Sequence, residues 1–372
     1  MSKRRFKSIL SVLLVGIFIL SLGLTGCSKQ ADAPVETPPP PEATTRTITD
    51  DMGRSHTVPM EINKVFSTSP IGTIVTYTLA PEKMVGWNYD LREGEKEYIL
   101  PELYNLPNLG GWQSKSTGNI EEIIKAKPDV IISMGDLMGE SDISFADKIQ
   151  QQTGIPVILV SLPLKEMDKA YTFMGELLGT EEKATELATY YKEVLADIQS
   201  KAATIPADKK VRVYYAEGPD GLTTEPDGSA HIQTLDIVGG VNVASGVADA
   251  GKGGQTQVSM EQVLAWDPDV IICWNETMGG AYKLIMSDTR WAKLKAVKNQ
   301  QVYEIPSGPY TWFDRPPSVN RIIGFKWAGN LLYPDIYQYN IIEETKEFYK
   351  KFYHYDLTDE EAKELLANSV RK

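Results

Sequence analysis

Cysteine and histidine are scarce in this sequence, which has only two cysteines and three histidines among 372 residues. Two cysteines allow one disulfide at most, so the chain is not a small fold held together by disulfides. A zinc or manganese site is also disfavoured, because such sites need several histidines at one place. Cys273 lies in the apolar run 270–274, which predicts a buried hydrophobic side chain rather than a catalytic thiol. We therefore predict no resident metal and no cofactor.

Basic residues are too few for a nucleic-acid-binding protein. The chain has 38 lysines and arginines against 50 aspartates and glutamates, a formal charge of −12. This acidity disfavours contact with phosphate backbones and anionic lipids, so we predict no nucleic-acid partner and no purely electrostatic membrane attachment. The sequence also lacks a glycine-rich phosphate loop and the serine elbow of hydrolases. These absences argue against an enzyme.

The N-terminus has the order of a secretory signal, with a basic start at 3–7, an apolar run at 9–22 and small residues before Cys27. Its segment LTGC resembles the lipobox of bacterial lipoproteins, in which the cysteine is acylated and becomes the new N-terminus. The alternative is a transmembrane anchor, but the apolar run is shorter than the ~20 residues that cross a bilayer. We predict a signal peptide at 1–26, lipidation of Cys27 and attachment to the extracytoplasmic face of a cell membrane.

The chain contains an internal repeat. Residues 120–136 (IEEIIKAKPDVIISMGD) and 260–276 (MEQVLAWDPDVIICWNE) match at a constant offset, with Glu121 aligned to Glu261. Each copy reads as a short helix, a Pro-Asp turn and a buried strand of β-branched residues. Alternating helices and strands predict parallel sheets covered by helices. We therefore expect an α/β protein made of two similar Rossmann-like lobes.

The rest of the chain divides into a tether, two lobes and a connector that differ in composition and sequence pattern. Residues 27–45 contain four consecutive prolines and read as an extended tether. Residues 46–165 are predicted to form the N-terminal α/β lobe with a leading hairpin, and residues 206–372 the C-terminal lobe with its helices. Between these two lobes, apolar residues recur every three or four positions and predict a helical connector at 166–205. A single rigid helix between two lobes predicts a cleft whose opening is limited.

Several segments together resemble one protein family. They are the opening TITDDMGRSHTVP, the block GGWQSKSTGNIEEIIKAKPDVII, the block YYAEGPDGLTTEPDGSAHIQTLDIVGGVNVA and the segment WFDRPPSVNRIIG. The chain resembles the helical-backbone solute-binding proteins of ABC importers for iron-siderophores, haem and cobalamin. WFDRPPS and LLYP are also similar to the molybdate- and tungstate-binding members. The resemblance implies the class III periplasmic-binding-protein fold, a monomer, and delivery of a captured metal chelate or oxyanion to permease subunits.

The family binds its solute between the lobes, on loops at the carboxyl ends of the strands. Rigid aromatic side chains suit a flat chelate, and the fork of Arg315 suits a carboxylate or an oxyanion. The alternatives are that some aromatics fill the lobe cores, that Arg315 pairs with Asp314 or a neighbouring acid, and that Ser69 only caps a helix. The predicted ligand-binding residues are Ser69, Trp87, Tyr89, Trp112, Trp274, Tyr310, Trp312 and Arg315.

The repeat also suggests where the permease binds. In the cobalamin importer, glutamates in segments that resemble those of Glu121 and Glu261 pair with permease arginines, so we expect these two residues to dock. Alternatively, each glutamate only offsets the dipole of its helix. A chelatase-like enzyme of this architecture is a distant alternative, for which only His231 could approach the cleft. A binding module unrelated to transport is the remaining alternative.

Overall fold

A computed structural model describes residues 43–112, 116–136, 138–248 and 255–371. The predicted signal peptide, Cys27 and most of the tether lie outside these ranges. The described part opens with an antiparallel hairpin of β1 (Thr45–Thr49) and β2 (Ser55–Pro59). The buried carboxylate of Asp50 closes its turn and accepts the Leu159 N–H at 3.2 Å, which fastens the hairpin to the first lobe.

The N-terminal lobe is built on a parallel sheet of three strands. β3 (Val65–Ser67), β4 (Val130–Gly135) and β5 (Val157–Ser161) lie in the order β3-β4-β5. All three are rich in buried apolar residues, as expected of strands covered on both faces. The helices of this lobe are α1 (Pro70–Leu79), α2 (Glu93–Lys96), α3 (Ile120–Ala126) and α4 (Glu140–Thr153).

Two helices form the connector. α5 (Met167–Leu178) ends at Gly179, whose φ of 69° is the left-handed conformation that favours glycine after a last helical turn. α6 (Glu181–Ala202) then runs for 22 residues and packs its buried apolar side, including Leu187 and Tyr191, against α5 and the common core. At about 1.5 Å per residue this helix is roughly 33 Å long.

The C-terminal lobe repeats the arrangement of the first. Its parallel sheet has the order β11-β10-β6-β8, and its strands are β6 (Arg212–Ala216), β8 (Val241–Asn242), β10 (Val270–Cys273) and β11 (Val302–Glu304). Two further short strands, β7 (Thr223–Thr224) and β9 (Thr256–Gln257), pair with each other. The helices up to this point are α7 (Gln233–Ile237), α8 (Met260–Trp266), α9 (Tyr282–Ser287) and α10 (Lys295–Lys298).

Each copy of the internal repeat makes an equivalent hydrogen bond within its own lobe. Asp129, after α3, accepts the backbone N–H of Lys64 at 2.9 Å, just before β3. Asp269, after α8, accepts the N–H of Arg212 at 2.8 Å, at the start of β6. The Pro-Asp turn therefore joins β4 to its sheet neighbour β3 in the first lobe, and β10 to its sheet neighbour β6 in the second. The predicted fold of two parallel α/β lobes is confirmed.

The C-terminal helices join the lobes a second time. They are α11 (Arg321–Leu332), α12 (Pro334–Tyr337), α13 (Ile341–Phe348), a π-helical turn (Tyr349–Tyr353) and α14 (Asp359–Leu365). The hydroxyl of Tyr77, on α1 of the first lobe, donates to Tyr353 O at 2.9 Å. The tail, which we predicted to belong to the C-terminal lobe, thus contacts both lobes, since Asn368 also donates to Glu304 on β11 at 2.9 Å. No described helix meets the length and hydrophobicity needed to span a bilayer.

Candidate functional site

Loops at the carboxyl ends of both parallel sheets supply the candidate binding residues, as expected for open α/β sheets. In the first lobe, buried Asn88 organises these loops. Its amide donates to Ser67 O at 2.8 Å and to Gly110 O at 3.1 Å, and its carbonyl accepts the hydroxyl of Thr73 at 2.6 Å. The backbone after β3 is thereby tied to the loop that carries Trp112.

Three predicted ligand-binding residues of the first lobe keep exposed surface. The backbone N–H of Trp112 donates to Thr68 O at 2.7 Å, which places this half-buried residue at the end of β3. Tyr89 is half-buried, and its hydroxyl donates to Glu95 at 2.9 Å. Ser69 precedes α1, but its side chain makes no capping hydrogen bond to that helix. The hydroxyl of Ser69 is therefore not committed to the capping role considered from the sequence.

Trp274 and Arg315 meet in the second lobe. Trp274 follows β10 directly, is half-buried, and donates its indole N–H to the Tyr215 hydroxyl at 2.7 Å. The guanidinium carbon of Arg315 lies 5.3 Å from the centre of the Trp274 ring, within the range of a cation–π contact. The two residues thus form one surface at the carboxyl end of the second sheet.

Arg315 is held by acids that sequence reasoning missed. Its guanidinium donates to Glu217 Oε1 at 2.9 and 3.2 Å and to Glu225 Oε1 at 2.7 Å. Asp314, the partner considered from the sequence, lies 3.3 Å from Arg315 Nε. His231 Nε2 lies 3.4 Å from Arg315 Nη1. The one available signal was that Glu217 comes immediately after a buried strand.

Burial governs the ionisation of this cluster. The side chains of Glu217, Glu225 and Asp314 are fully buried, and that of Arg315 keeps 21% of its surface exposed. Burial and the nearby charge of Asp314 raise the pKa of Glu217 to about 8, although Arg315 opposes the shift. The acids raise the pKa of Arg315, so its guanidinium remains charged.

Three of the predicted aromatic ligand contacts are core residues instead. Trp87 is 3% exposed, and its indole N–H donates to Leu103 O at 2.9 Å. Tyr310 is 4% exposed, and Trp312 is fully buried with its indole N–H directed at the Tyr349 hydroxyl at 3.3 Å. Because these side chains have almost no free surface and the two indoles are already hydrogen-bonded, their assignment to the binding surface is corrected.

The lobes touch each other beside this site. The amide of Gln233 in the second lobe donates to Asp136 Oδ2 in the first at 3.0 Å, and its carbonyl accepts Arg321 at 2.9 Å. Arg92 Nη1 and Met278 Sδ, also from opposite lobes, lie 2.9 Å apart. A cavity of about 680 Å³ adjoins the first contact, and its lining includes Asp136, Pro163, Lys165, Gln199, Gly228 and Gln233.

Glu121 and Glu261 occupy equivalent positions in the two lobes. Each is the second residue of a seven-residue helix, α3 or α8, and each is exposed. The capping residues Asn119 and Ser259 accept a backbone N–H from the first turns of these helices. Backbone and Ser259 hydrogen bonds lower the pKa of Glu261. Both glutamates are therefore available to a partner.

Cys273 is a buried side chain, as its apolar run predicted. The Cys273 thiol is buried on β10, donates to Tyr303 O at 3.4 Å, and has a pKa raised by burial. Over the residues that the structure describes, no group of three or more histidine, cysteine, aspartate or glutamate side chains is arranged to hold a metal ion. What the site offers a solute is aromatic contact at Trp274 and hydrogen bonding.

Comparison with known proteins gives a consistent result. A family model described as periplasmic binding protein matches residues 94–309. The molybdate-binding protein MolA of Haemophilus influenzae is 28% identical and aligns with 83% of this chain and 91% of its own. The uncharacterized ABC transporter substrate-binding lipoprotein YvrC of Bacillus subtilis is 28% identical over 88% of this chain and 97% of its own. A solved ABC transporter solute-binding protein from Sulfurospirillum deleyianum superposes with a TM-score of 0.79 at 32% identity, covering 87% of this chain and 99% of that one.

Proposed function

The chain belongs to the periplasmic binding protein family, and from this premise we propose that it captures a metal chelate between its lobes. It is a substrate-binding component of an ABC importer and not an enzyme. A ferric siderophore, haem or a corrinoid is the class of solute that we propose. Such ligands combine a bulky, partly apolar body with a few polar groups, and a cleft with rigid aromatic side chains suits them.

One observation carries the proposal. Each lobe places a half-buried tryptophan after a strand of its parallel sheet, Trp112 near the end of β3 and Trp274 after β10. The Trp274 indole is hydrogen-bonded to Tyr215, and the Trp112 ring packs edge-to-face on Phe145 at 5.8 Å between centroids, so both rings are positioned before a ligand arrives. Preorganised aromatic surfaces lose little conformational entropy on binding, which favours a large ligand over a small ion.

A molybdate- or tungstate-like oxyanion is the second candidate. It is supported by similarity to MolA, whose name records molybdate binding. It is also supported by the hydroxyl of Ser69, which makes no capping hydrogen bond to α1. The surroundings of Arg315 argue against it. Glu217 and Glu225 already occupy the guanidinium, so a small anion would have to displace them or bind beside them.

Two further parts of the proposal concern attachment and delivery. We propose that Cys27 is acylated and anchors the chain to the extracytoplasmic membrane face, with the proline-rich segment as a spacer. Glu121 and Glu261 are proposed to contact the permease, since both are exposed at equivalent positions in the repeat. The binding protein is proposed to act as a monomer.

Titration of tryptophan fluorescence tests the ligand class. The panel contains ferric hydroxamates, haemin, cyanocobalamin, molybdate and tungstate. We expect at least one chelate to bind with a Kd of about 1 μM or tighter, which corresponds to roughly −8 kcal/mol. Trp274→Phe should weaken the binding, whereas Trp291→Phe, a change at a buried indole outside the cleft, should not. Binding of molybdate or tungstate alone would replace the chelate with the oxyanion.

A further inference from the structure

The cluster around Arg315 contains more acidic than basic groups. Glu217, Glu225 and Asp314 all lie within 3.3 Å of its guanidinium, and all three carboxylates are fully buried. The charge of Arg315 is therefore more than offset by its own neighbours. Even when Glu217, whose pKa burial raises to about 8, is left out of the count, two acidic side chains face one guanidinium. The positively charged Arg315 therefore lies in a region where acidic side chains outnumber basic ones.

Glu225 and Asp314 are fixed in place by hydrogen bonds beyond those to Arg315. Glu225 Oε1 also accepts the backbone N–H of Gln255 at 3.0 Å, and its Oε2 accepts the Ser229 hydroxyl at 2.7 Å. Asp314 Oδ1 accepts the hydroxyl of Tyr215 at 2.8 Å. Moving Glu225 or Asp314 would break these bonds in a buried setting, which costs the desolvation of each group that is left unpaired.

Unused acceptors remain in the cluster. Glu217 Oε2 and Asp314 Oδ2 are buried without a hydrogen-bond partner, although Asp314 Oδ2 lies 3.2 Å from His231 Nδ1. Buried acceptors normally have a donor. Arg315 Nε and His231 Nδ1 lie within 3.3 Å of Asp314 Oδ2, so Glu217 Oε2 is the acid oxygen of this cluster that has no hydrogen-bonding group assigned to it.

The second guanidinium nearby does not reverse this balance. Arg321 is 1% exposed and donates to the Gln233 carbonyl, while the Gln233 amide donates to Asp136 of the opposite lobe. Its charge is thus screened from the cleft by Gln233 and faced by a carboxylate. An anion that entered beside Trp274 would find the guanidinium groups of Arg315 and Arg321 both already hydrogen-bonded to other residues.

We propose that Glu217, Glu225 and Asp314 are specificity-determining residues, which make the second lobe accept neutral or cationic solutes and reject anionic ones. The inference rests on the proposed binding function and narrows the chelate to one without a net negative charge. Arg315 then serves as the positively charged centre that holds the acids beside Trp274, and not as an anion receptor. Like charges brought together in a site that excludes water are strongly disfavoured, so the same groups act against the wrong ligand.

A charge series on one chelate tests this selectivity. Ferrioxamine B carries a free ammonium, its N-acetyl derivative is neutral, and its N-succinyl derivative is anionic, while the iron centre is unchanged. We expect the wild-type affinity to fall at least tenfold from the cationic to the anionic member. Glu217→Gln with Glu225→Gln should remove most of that difference. The remote pair Glu181→Gln with Glu182→Gln, exposed at the start of α6, changes charge equally and should preserve it.

A second measurement needs neither a ligand nor substitution of the three acidic residues. Caesium and iodide quench exposed tryptophans by collision, and the difference between wild type and Trp274→Phe isolates Trp274. We expect caesium to quench Trp274 more than iodide does. Equal or stronger quenching by iodide, or equal affinity across the charge series, overturns the selectivity and leaves chelate binding intact. Failure of every chelate to bind, with caesium still preferred, overturns the proposed function and leaves the charge inference standing.

Discussion

The side chain of Gln233 donates to Asp136 Oδ2 at 3.0 Å and links the two lobes across the cleft. The other end of its amide accepts Arg321, so one neutral side chain bridges a buried cation in one lobe and a carboxylate in the other. A single hydrogen bond of this kind contributes about 0.5–1.5 kcal/mol. The bond is therefore strong enough to bias the opening of the cleft and weak enough to break when solute is released.

Gln233→Glu should favour an open cleft, because a carboxylate at this position would face Asp136. We expect a larger radius of gyration for the ligand-free variant by small-angle X-ray scattering, together with faster dissociation of bound ligand. Gln199→Glu is the matched control, since Gln199 lines the same cavity from α6 and is exposed. Identical scattering curves for wild type and Gln233→Glu would show that the bridge does not affect closure.

Arg315→Ala should lower the free energy of unfolding by about 3–5 kcal/mol, because it leaves buried carboxylates without their cation. Adding Glu217→Gln and Glu225→Gln to this variant should restore part of the loss, since neutral amides need no counter-charge. Urea unfolding of the single and triple variants measures both effects. Unchanged stability with lost binding would instead identify Arg315 as a ligand anchor, as the sequence suggested.

The sequence predicted the repeat and the lobes because their signals are local. A strand of β-branched residues and its Pro-Asp turn are encoded within a few positions, and Asp129 and Asp269 then make equivalent bonds. The aromatic residues could not be sorted in this way. Trp274 and Trp312 both follow strands, yet Trp312 is buried under Tyr349, which arrives from a tail that no local pattern places there.

The partners of Arg315 show the same limit for charged groups. Sequence reasoning considered Asp314 because it is the adjacent residue. Glu217 and Glu225 lie 98 and 90 positions away and reach the guanidinium only because β6 and the loop after β7 end at one edge of the lobe. Tertiary packing decides which acid pairs with which base. The sequence therefore showed the charged residues but not which of them form ion pairs.

Glu217 should make stability fall as pH rises. Its folded-state pKa is raised to about 8, so the folded protein holds this proton after the unfolded chain has lost it. The contribution is complete below the ordinary pKa of 4.5 and is lost as pH rises through about 8. Urea unfolding of wild type and Glu217→Gln between these values should show wild type losing stability relative to the variant. A constant difference would mean that Glu217 ionises normally.

Cys27→Ser should prevent lipid attachment. We expect the variant to lose incorporation of labelled palmitate and to leave the detergent phase in a partition experiment, because no thiol remains for acylation at the lipobox-like segment. Cys273→Ala is the control: it removes the other cysteine, which is buried on β10, and should leave labelling intact. Equal labelling of Cys27→Ser and wild type would contradict the lipoprotein proposal.

Glu121→Arg combined with Glu261→Arg should abolish solute uptake in cells while leaving ligand affinity nearly unchanged. Both side chains are exposed, and reversing two contact charges against basic permease residues costs several kcal/mol. The control is Glu122→Arg with Gln262→Arg, which changes the next residue of each helix, adds three positive charges instead of four and points them elsewhere.

Uptake of the chelate identified by fluorescence, measured beside its Kd, separates docking from the alternative. If the glutamates only offset the dipoles of α3 and α8, the double variant should lose about 0.3–1 kcal/mol of stability per site and still transport. Docking instead predicts a normal Kd, a nearly normal melting temperature and no uptake, with the control pair transporting as wild type does. Because one glutamate lies in each copy of the repeat, each single variant should retain partial uptake, and full uptake by the double variant would exclude these residues from the permease contact.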